Sequence, residues 1–222
     1  SDLAYHKLLA QQEDENGFKV LPTFRPDDLM AVDAPGFAAY ATKLGELAGV
    51  DVYDWESLKQ AVAQRVDYFH EVGGRFADHG ANSFFFHKAD EDEVAAIVAK
   101  GLAGGALSDE EVGAYQTLFL MGEYARHGWT LQIHANCLRN DSTLGLERCG
   151  KDAGFDSVGD QAGLATQLRS LFDAAEQAGS LPKVILYSLN ESDFLSLATL
   201  CGSFQGGGIR QRMMLGCAWW FN

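Results

Sequence analysis

The run Lys183–Leu189 (KVILYSL) constrains this chain more than any other stretch. It is nearly continuous in apolar residues, the pattern of a parallel strand covered on both faces. The rest of the sequence fits around such strands. Phe18–Phe24 (FKVLPTF) reads as a strand closed by Pro22 and by Arg25-Pro26. Trp55–Val72 reads as a helix with Leu58, Val62, Val66 and Phe69 on one face, stopped by Gly73-Gly74. Arg75–Gly80 reads as a short strand, and the aromatic Ser83–His87 (SFFFH) as a small extra one. Ser108 and Glu111 make a capping-box pattern before a helix that ends near Arg126-His127-Gly128. Trp129–His134 (WTLQIH) reads as a strand, Leu164, Leu168, Leu171 and Phe172 mark a helix, Glu191–Gly202 is helical, and Arg212–Phe221 is the last strand. Gly101–Ala106 and Gly206–Gly208 read as loops.

Strand and helix alternate throughout, which predicts a parallel α/β architecture. No Pro-, Gly- and Ser-rich linker divides the chain and no repeat recurs in it. The pattern alone fits either a doubly wound sheet or a (β/α)-barrel. Without a Gly-rich phosphate fingerprint after the first strand, nucleotide-binding folds lose support. The 222 residues carry 31 acidic and 17 basic side chains, a formal net charge of -14. That balance argues against nucleic acid as a partner, because phosphate contacts need clustered Lys and Arg. It also means that an anionic substrate would need local Arg or Lys to overcome a repulsive field. No apolar run approaches the roughly 20 residues of a membrane span, and Ser1–Gln12 lacks the apolar core of a signal peptide. Cys137, Cys149, Cys201 and Cys217 form no CxxC pair, so buried free thiols in a reducing cytoplasm are expected.

In a parallel barrel the chemistry sits at the C-terminal ends of the strands. Those ends carry Thr23-Phe24-Arg25-Pro26-Asp27, Asp78-His79-Gly80, His134 with Asn136, Arg139 and Asn140 beyond it, Asn190, and Trp219-Trp220-Phe221-Asn222. Arg25 can fork onto a carboxylate, although a single Arg more often makes a surface salt bridge. Asp78 beside His79 suggests an acid/base pair, against the ordinary reading of an Asp capping a loop or helix. His134 closes an apolar strand, where a histidine is equally a satisfied core residue or a ligand or base. Trp219 and Trp220 alternate across a strand, so one of them can face the barrel mouth and the other packs. Arg139 is loop material by default. His6, His70, His87 and His127 lie in helices or at element ends and are given no catalytic part. No HxH or HExxH spacing marks a metal site.

Taken together, the strings VLPTFRPD (Val20–Asp27), DHG (Asp78–Gly80), LQIHANCLRN (Leu131–Asn140), AGFDSVGD (Ala153–Asp160), LPKVILYSLN (Leu181–Asn190) and the run from Phe204 to Asn222 resemble the uronate isomerase (glucuronate isomerase) family. The resemblance covers nearly the whole chain in family order. It implies an amidohydrolase-like (β/α)8 TIM-type barrel of which residues 1–222 form a partial domain, family strands 3 to 7, about five of the eight βα units. It implies aldose–ketose isomerisation of hexuronates, D-glucuronate to D-fructuronate and D-galacturonate to D-tagaturonate, through an enediol. Such chemistry needs a base near C2, a proton relay for the oxygens and an anchor for the distal carboxylate. The resemblance places Asp78 and His134 in the catalytic cluster, Arg25 and Trp219 on the substrate, and Arg139 as a weaker substrate contact.

The family's HxH pair with a nearby Tyr and its TDSR-like segment have no counterpart here. The resemblance therefore implies a divalent metal such as Zn in a full-length parent, with no ligands evident in this chain. Ala135-Asn136-Cys137 also departs from the small, Gly-containing sequence usual after this strand. The expectations that follow are a cytoplasmic isomerase that acts on a small hexuronate, makes no membrane contact and forms a homo-oligomer, with the 222-residue chain inactive by itself. The alternatives are a non-catalytic fragment of such an isomerase and a metal-dependent hydrolase of the same superfamily.

Overall fold

A helix in the middle of the chain shows how sequence becomes structure here. At Trp55–Glu71 the Asp54 carboxylate accepts from the Ser57 amide (2.8 Å), and the Ser57 hydroxyl accepts from the Asp54 amide (3.0 Å). Leu58, Val62, Val66 and Phe69, spaced by three or four residues, are buried along one stripe. The helix stops where Gly73 turns left-handed (φ 103°) and the Gly74 amide donates to Phe69 O (2.7 Å). A Cβ on Gly74 would lie 2.8 Å from that carbonyl, so only glycine allows the turn into the next strand. Asp90 with Glu93 and Ser108 with Glu111 form capping boxes of the same kind.

The computed structural model describes residues 2–80, 83–115, 118–206, 208 and 211–217. In chain order it runs α1 (Ala4–Ala10), α2 (Glu13–Asn16), β1 (Thr23–Phe24), α3 (Asp27–Met30), α4 (Phe37–Ala48), α5 (Trp55–Glu71), β2 (Phe76–Gly80), α6 (Glu91–Leu102), α7 (Asp109–Tyr115), α8 (Leu118–Arg126), β3 (Thr130–Ala135), β4 (Cys137–Leu138), α9 (Thr143–Cys149), β5 (Ser157–Val158), α10 (Leu164–Gln177), β6 (Lys183–Ser188), a 3-10 turn (Glu191–Asp193), α11 (Phe194–Ser203) and β7 (Met213–Leu215). A five-stranded sheet has the order β1-β2-β3-β6-β7, every pair parallel. Strands β4 and β5 form a separate antiparallel pair.

The sheet order follows the chain order with no reversal, so these strands contain no topological switch point, the mark of a doubly wound sheet. Helices α3 to α8, α10 and α11 contribute buried side chains to the core on one sheet face. Ala77 and His79 on β2, Leu131, Ile133 and Ala135 on β3, and Val184, Leu186 and Ser188 on β6 are all buried on that side, and their apolar members join the helices in one continuous core. The other face holds Phe76, Asp78, Gln132, His134, Ile185 and Tyr187, none of them fully buried. One-sided helix cover with strands in chain order is a barrel-like arc. The expectation that Lys183–Leu189 is covered on both faces is therefore met on the helix side only.

Several sequence expectations change. Phe18–Phe24 forms a ladder only at Thr23 and Phe24. Pro22 has no amide to donate, and Phe18, Val20 and Leu21 are exposed. Ser83–His87 is not a strand: its backbone is held by glutamine side chains. Gln161 bonds Phe84 N (2.8 Å) and Phe84 O (2.6 Å), and Gln167 bonds Phe86 N (2.9 Å). Helix α6 runs through Leu102, into the stretch read as a loop. The strand expected over Arg212–Phe221 is described as Met213–Leu215, and residues 218–222 lie outside the described residues. All four cysteines are free, but Cys149 and Cys217 are exposed rather than buried.

Candidate active site

The C-terminal ends of β1, β2 and β3 bring Arg25, Asp78 and His134 into one line. Arg25 follows β1 directly, held by Pro26 at the start of α3. Its Nε donates to Asp27 Oδ2 (2.7 Å) and its Nη1 to Asp78 Oδ2 (3.0 Å). The Asp27 bond, working against burial and joined by the charges of Asp27, Asp78 and Asp152, holds the guanidinium above the ordinary arginine pKa. Gly80 makes room for this fork, since a Cβ there would sit 3.2 Å from Arg25 Nη2. Half of the Arg25 side chain (49%) still faces solvent, so it can meet an arriving anion.

Asp78 lies between Arg25 and His134. Its other oxygen, Oδ1, is 2.6 Å from His134 Nδ1. Partial burial opposes ionisation of Asp78, but the His134 hydrogen bond, with the charges of His134 and Arg25, outweighs it and lowers its pKa below the carboxylate norm. An ionised carboxylate only accepts, so Nδ1 of His134 donates to it, which leaves Nε2 as the nitrogen at which the ring exchanges a proton. The arrangement can therefore take up a proton at Nε2 while Asp78 stabilises the imidazolium.

The expected Asp78–His79 pair does not form. Successive strand residues point to opposite faces. Asp78 faces the open side of the sheet, while His79 is buried on the helix side with Nε2 2.8 Å from the Tyr124 hydroxyl. Burial pushes the His79 pKa down to about 4, with the Asp27 and Asp78 charges opposing that shift. The sequence reading missed Tyr187 and Gln132. The register sets Gly80, His134 and Tyr187 side by side on β2, β3 and β6. The His134 ring stacks on Tyr187 with centroids 4.6 Å apart and an interplanar angle of 6°, and the Tyr187 hydroxyl donates to Gln132 Oε1 (3.1 Å). The available signal was strand alternation, which puts Gln132 on the same face as His134.

Arg139 follows β4. Its Nη1 is 3.3 Å from Asp156 Oδ2 and 3.8 Å from Asp152 Oδ1. No direct bond joins it to Asp78 or His134 among these contacts, but Asp152, whose charge also acts on Arg25, links the two arginines electrostatically. Asn136, the departure noted after β3, is buried at φ 60°, a conformation that Asn tolerates better than most residues. Its Nδ2 donates to Asp193 Oδ2 (2.5 Å), its Oδ1 accepts from Gln161 N (3.2 Å), and its backbone oxygen accepts from Gly159 N (2.8 Å). It ties the end of β3 to the segments after β5 and β6. Trp219 lies outside the described residues. Among the described residues no group of three or more His, Cys, Asp or Glu side chains is placed to hold a metal ion. No described helix is long and apolar enough to cross a membrane.

Comparison with known proteins identifies the chain's relatives. The family profile described as glucuronate isomerase matches residues 1–222. The uronate isomerase of Latilactobacillus sakei subsp. sakei (strain 23K) is 42% identical over 225 residues, covering 100% of this chain and 48% of that protein. The uronate isomerase of Caldicellulosiruptor bescii is 43% identical over 223 residues, covering 99% of this chain and 48% of that protein. The crystal structure of uronate isomerase from Thermotoga maritima aligns with a TM-score of 0.87 at 27% identity, over 100% of this chain and 48% of that one. Glucuronate isomerase from Caulobacter crescentus aligns with a TM-score of 0.75 at 25% identity, over 91% of this chain and 41% of that one. The chain spans about half the length of the curated relatives it matches. By sequence over its whole length and by the course of its parallel sheet, the chain belongs to the glucuronate isomerase family.

Proposed function

We propose that residues 1–222 form the substrate-facing arc of a (β/α)8 barrel, family strands 3 to 7, that interconverts aldo- and keto-hexuronates in a reducing cytoplasm. The carrying observation is the Arg25–Asp78–His134 line at the ends of adjacent parallel strands, with bonds of 3.0 and 2.6 Å. Arg25 anchors the substrate carboxylate, with Arg139 near it across Asp152. His134 Nε2 removes the proton at C2 and returns it at C1, and Asp78 holds the ring and stabilises its cationic form. Trp219 walls the sugar. The divalent metal and the remaining proton relay belong to the part of the barrel that the relatives carry beyond the matched half, and so does pairing for β1 and β7, the edge strands among the described residues.

The test is a segment exchange. This chain replaces the matching part of the Latilactobacillus sakei enzyme, with which it aligns over 225 residues. The chimera is expected to convert D-glucuronate to D-fructuronate and D-galacturonate to D-tagaturonate, and the isolated chain to convert neither. A folded chimera inactive on both uronates refutes the proposed function. Turnover by the isolated chain refutes the need for the rest of the barrel.

A further inference from the structure

A hydrogen bond from Nδ1 to a carboxylate limits rotation of an imidazole about Cβ–Cγ but is elastic, so the ring plane still swings within the tolerance of that bond. A base that must meet a particular C–H bond needs the plane fixed as well. In this structure a second element supplies that restraint. Tyr187 on β6 lies flat against His134 at 4.6 Å and 6°. Its own plane is pinned at two places. At one end its hydroxyl donates to Gln132 Oε1 (3.1 Å), two residues before His134 on β3. At its edge lies Gly216, just after β7, anchored by Gly216 N to Leu186 O (2.8 Å). A Cβ on Gly216 would fall 2.1 Å from Tyr187 Cε1 and 2.5 Å from Cδ1, so backbone itself packs on the ring.

We propose that Tyr187, clamped between Gln132 and the Gly216 backbone, is a positioning residue that sets the ring plane of His134 for proton transfer. This deepens the proposed isomerase function and rests on it for its kinetic part. Three strands contribute: β3 carries the base and the hydrogen-bond acceptor, β6 the aromatic plate, and the end of β7 the stop behind it. The phenol stays a donor because burial, joined by Cys217 and Asp78, raises its pKa above the tyrosine norm. The ring face also favours a cationic imidazole over a neutral one, which helps His134 when it holds the substrate's proton. Tyr187 needs no contact with the substrate for either effect.

The experiment has an arm that does not depend on turnover. In the folded chimera, proton NMR of the His134 Nδ1–H, assigned by its loss in His134→Gln, reports the Asp78 bond. The parent is expected to show one sharp, slowly exchanging resonance, Tyr187→Phe, which loses the Gln132 bond but keeps the ring against Gly216, one of intermediate width, and Tyr187→Leu a missing one. In the active chimera, Tyr187→Leu is expected to lower kcat roughly tenfold with KM within about twofold, while Tyr187→Phe keeps at least about a third of parental kcat. Gly216→Ala, which displaces the plate without removing it, is expected to lower kcat in the same direction and offers a second route if Tyr187→Leu fails to fold. A Leu variant with parental resonance and kcat, or a Phe variant as impaired as Leu, overturns the positioning role. An inactive parental chimera overturns the isomerase reading alone, because the NMR arm still decides whether Tyr187 orders His134.

Discussion

Replacing His79 by Gln isolates the acid sensitivity of this fold. The ring is 4% exposed, and its native pKa of about 4 lies below the ordinary 6.5. A histidine with a depressed native pKa gives up stability as pH falls, because the unfolded chain takes up the proton first. The gap between 6.5 and about 4 corresponds to about 3 kcal/mol once pH is below both values. At pH 5 most of that gap is open, so stability falls by about 2 kcal/mol between pH 7 and pH 5 from this residue alone. His70 adds to the loss. Burial, with the Arg75 charge, lowers its pKa, and protonation at Nδ1 would break the 2.9 Å bond from Trp129 Nε1. Urea unfolding of parent and His79→Gln at pH 7, 6 and 5 separates the two. The parental midpoint should drop steeply with acid. The Gln variant should start lower at pH 7, because its bond to Tyr124 is altered, and then fall by about 2 kcal/mol less over the same range. Parallel curves for the two proteins would refute the reasoning, since they would mean that His79 titrates alike folded and unfolded.

Three further outcomes follow from the site. In the chimera, Asp78→Asn should lower kcat by roughly 100-fold or more, because an amide can face His134 with its NH2 and reverse the tautomer; steady-state kinetics with little change in KM is the expected signature. Arg25→Met should raise KM for D-glucuronate by about tenfold or more and lower kcat/KM further, by removing a charge-assisted fork onto the carboxylate. Asp152→Asn should lower KM about twofold at low salt, with the gain fading as ionic strength rises, because it removes an exposed carboxylate that competes for Arg25 and Arg139.

The residues that answer to local physics were legible in the sequence. The Ser108–Glu111 capping box, the buried stripe of α5 and the apolar runs of β3 and β6 each depend on residues within a few positions of one another. So did the placement of Arg25, Asp78 and His134 at strand ends. What could not be read was register. Asp78 was given its sequence neighbour His79 as partner, yet the pleat sends the two to opposite faces and gives Asp78 a partner 56 positions away. Tyr187 was hidden for the same reason: only the β3–β6 register places it on His134. Ser83–His87 misled because its aromatic residues suit a strand, while its backbone partners, Gln161 and Gln167, lie 77 and 81 positions away. The β4–β5 pair, two residues on each side, is too short to leave a periodic signal.

The central claim is that this chain carries the proton-transferring base of a hexuronate isomerase. Its most direct test is the kcat for D-glucuronate of the chimera with and without His134→Gln. The account predicts a loss of roughly 100-fold or more in a protein that unfolds at the parental urea concentration. A His134→Gln chimera that turns over D-glucuronate within about twofold of the parent would contradict it, and would move the base to a residue outside the Arg25–Asp78–His134 line.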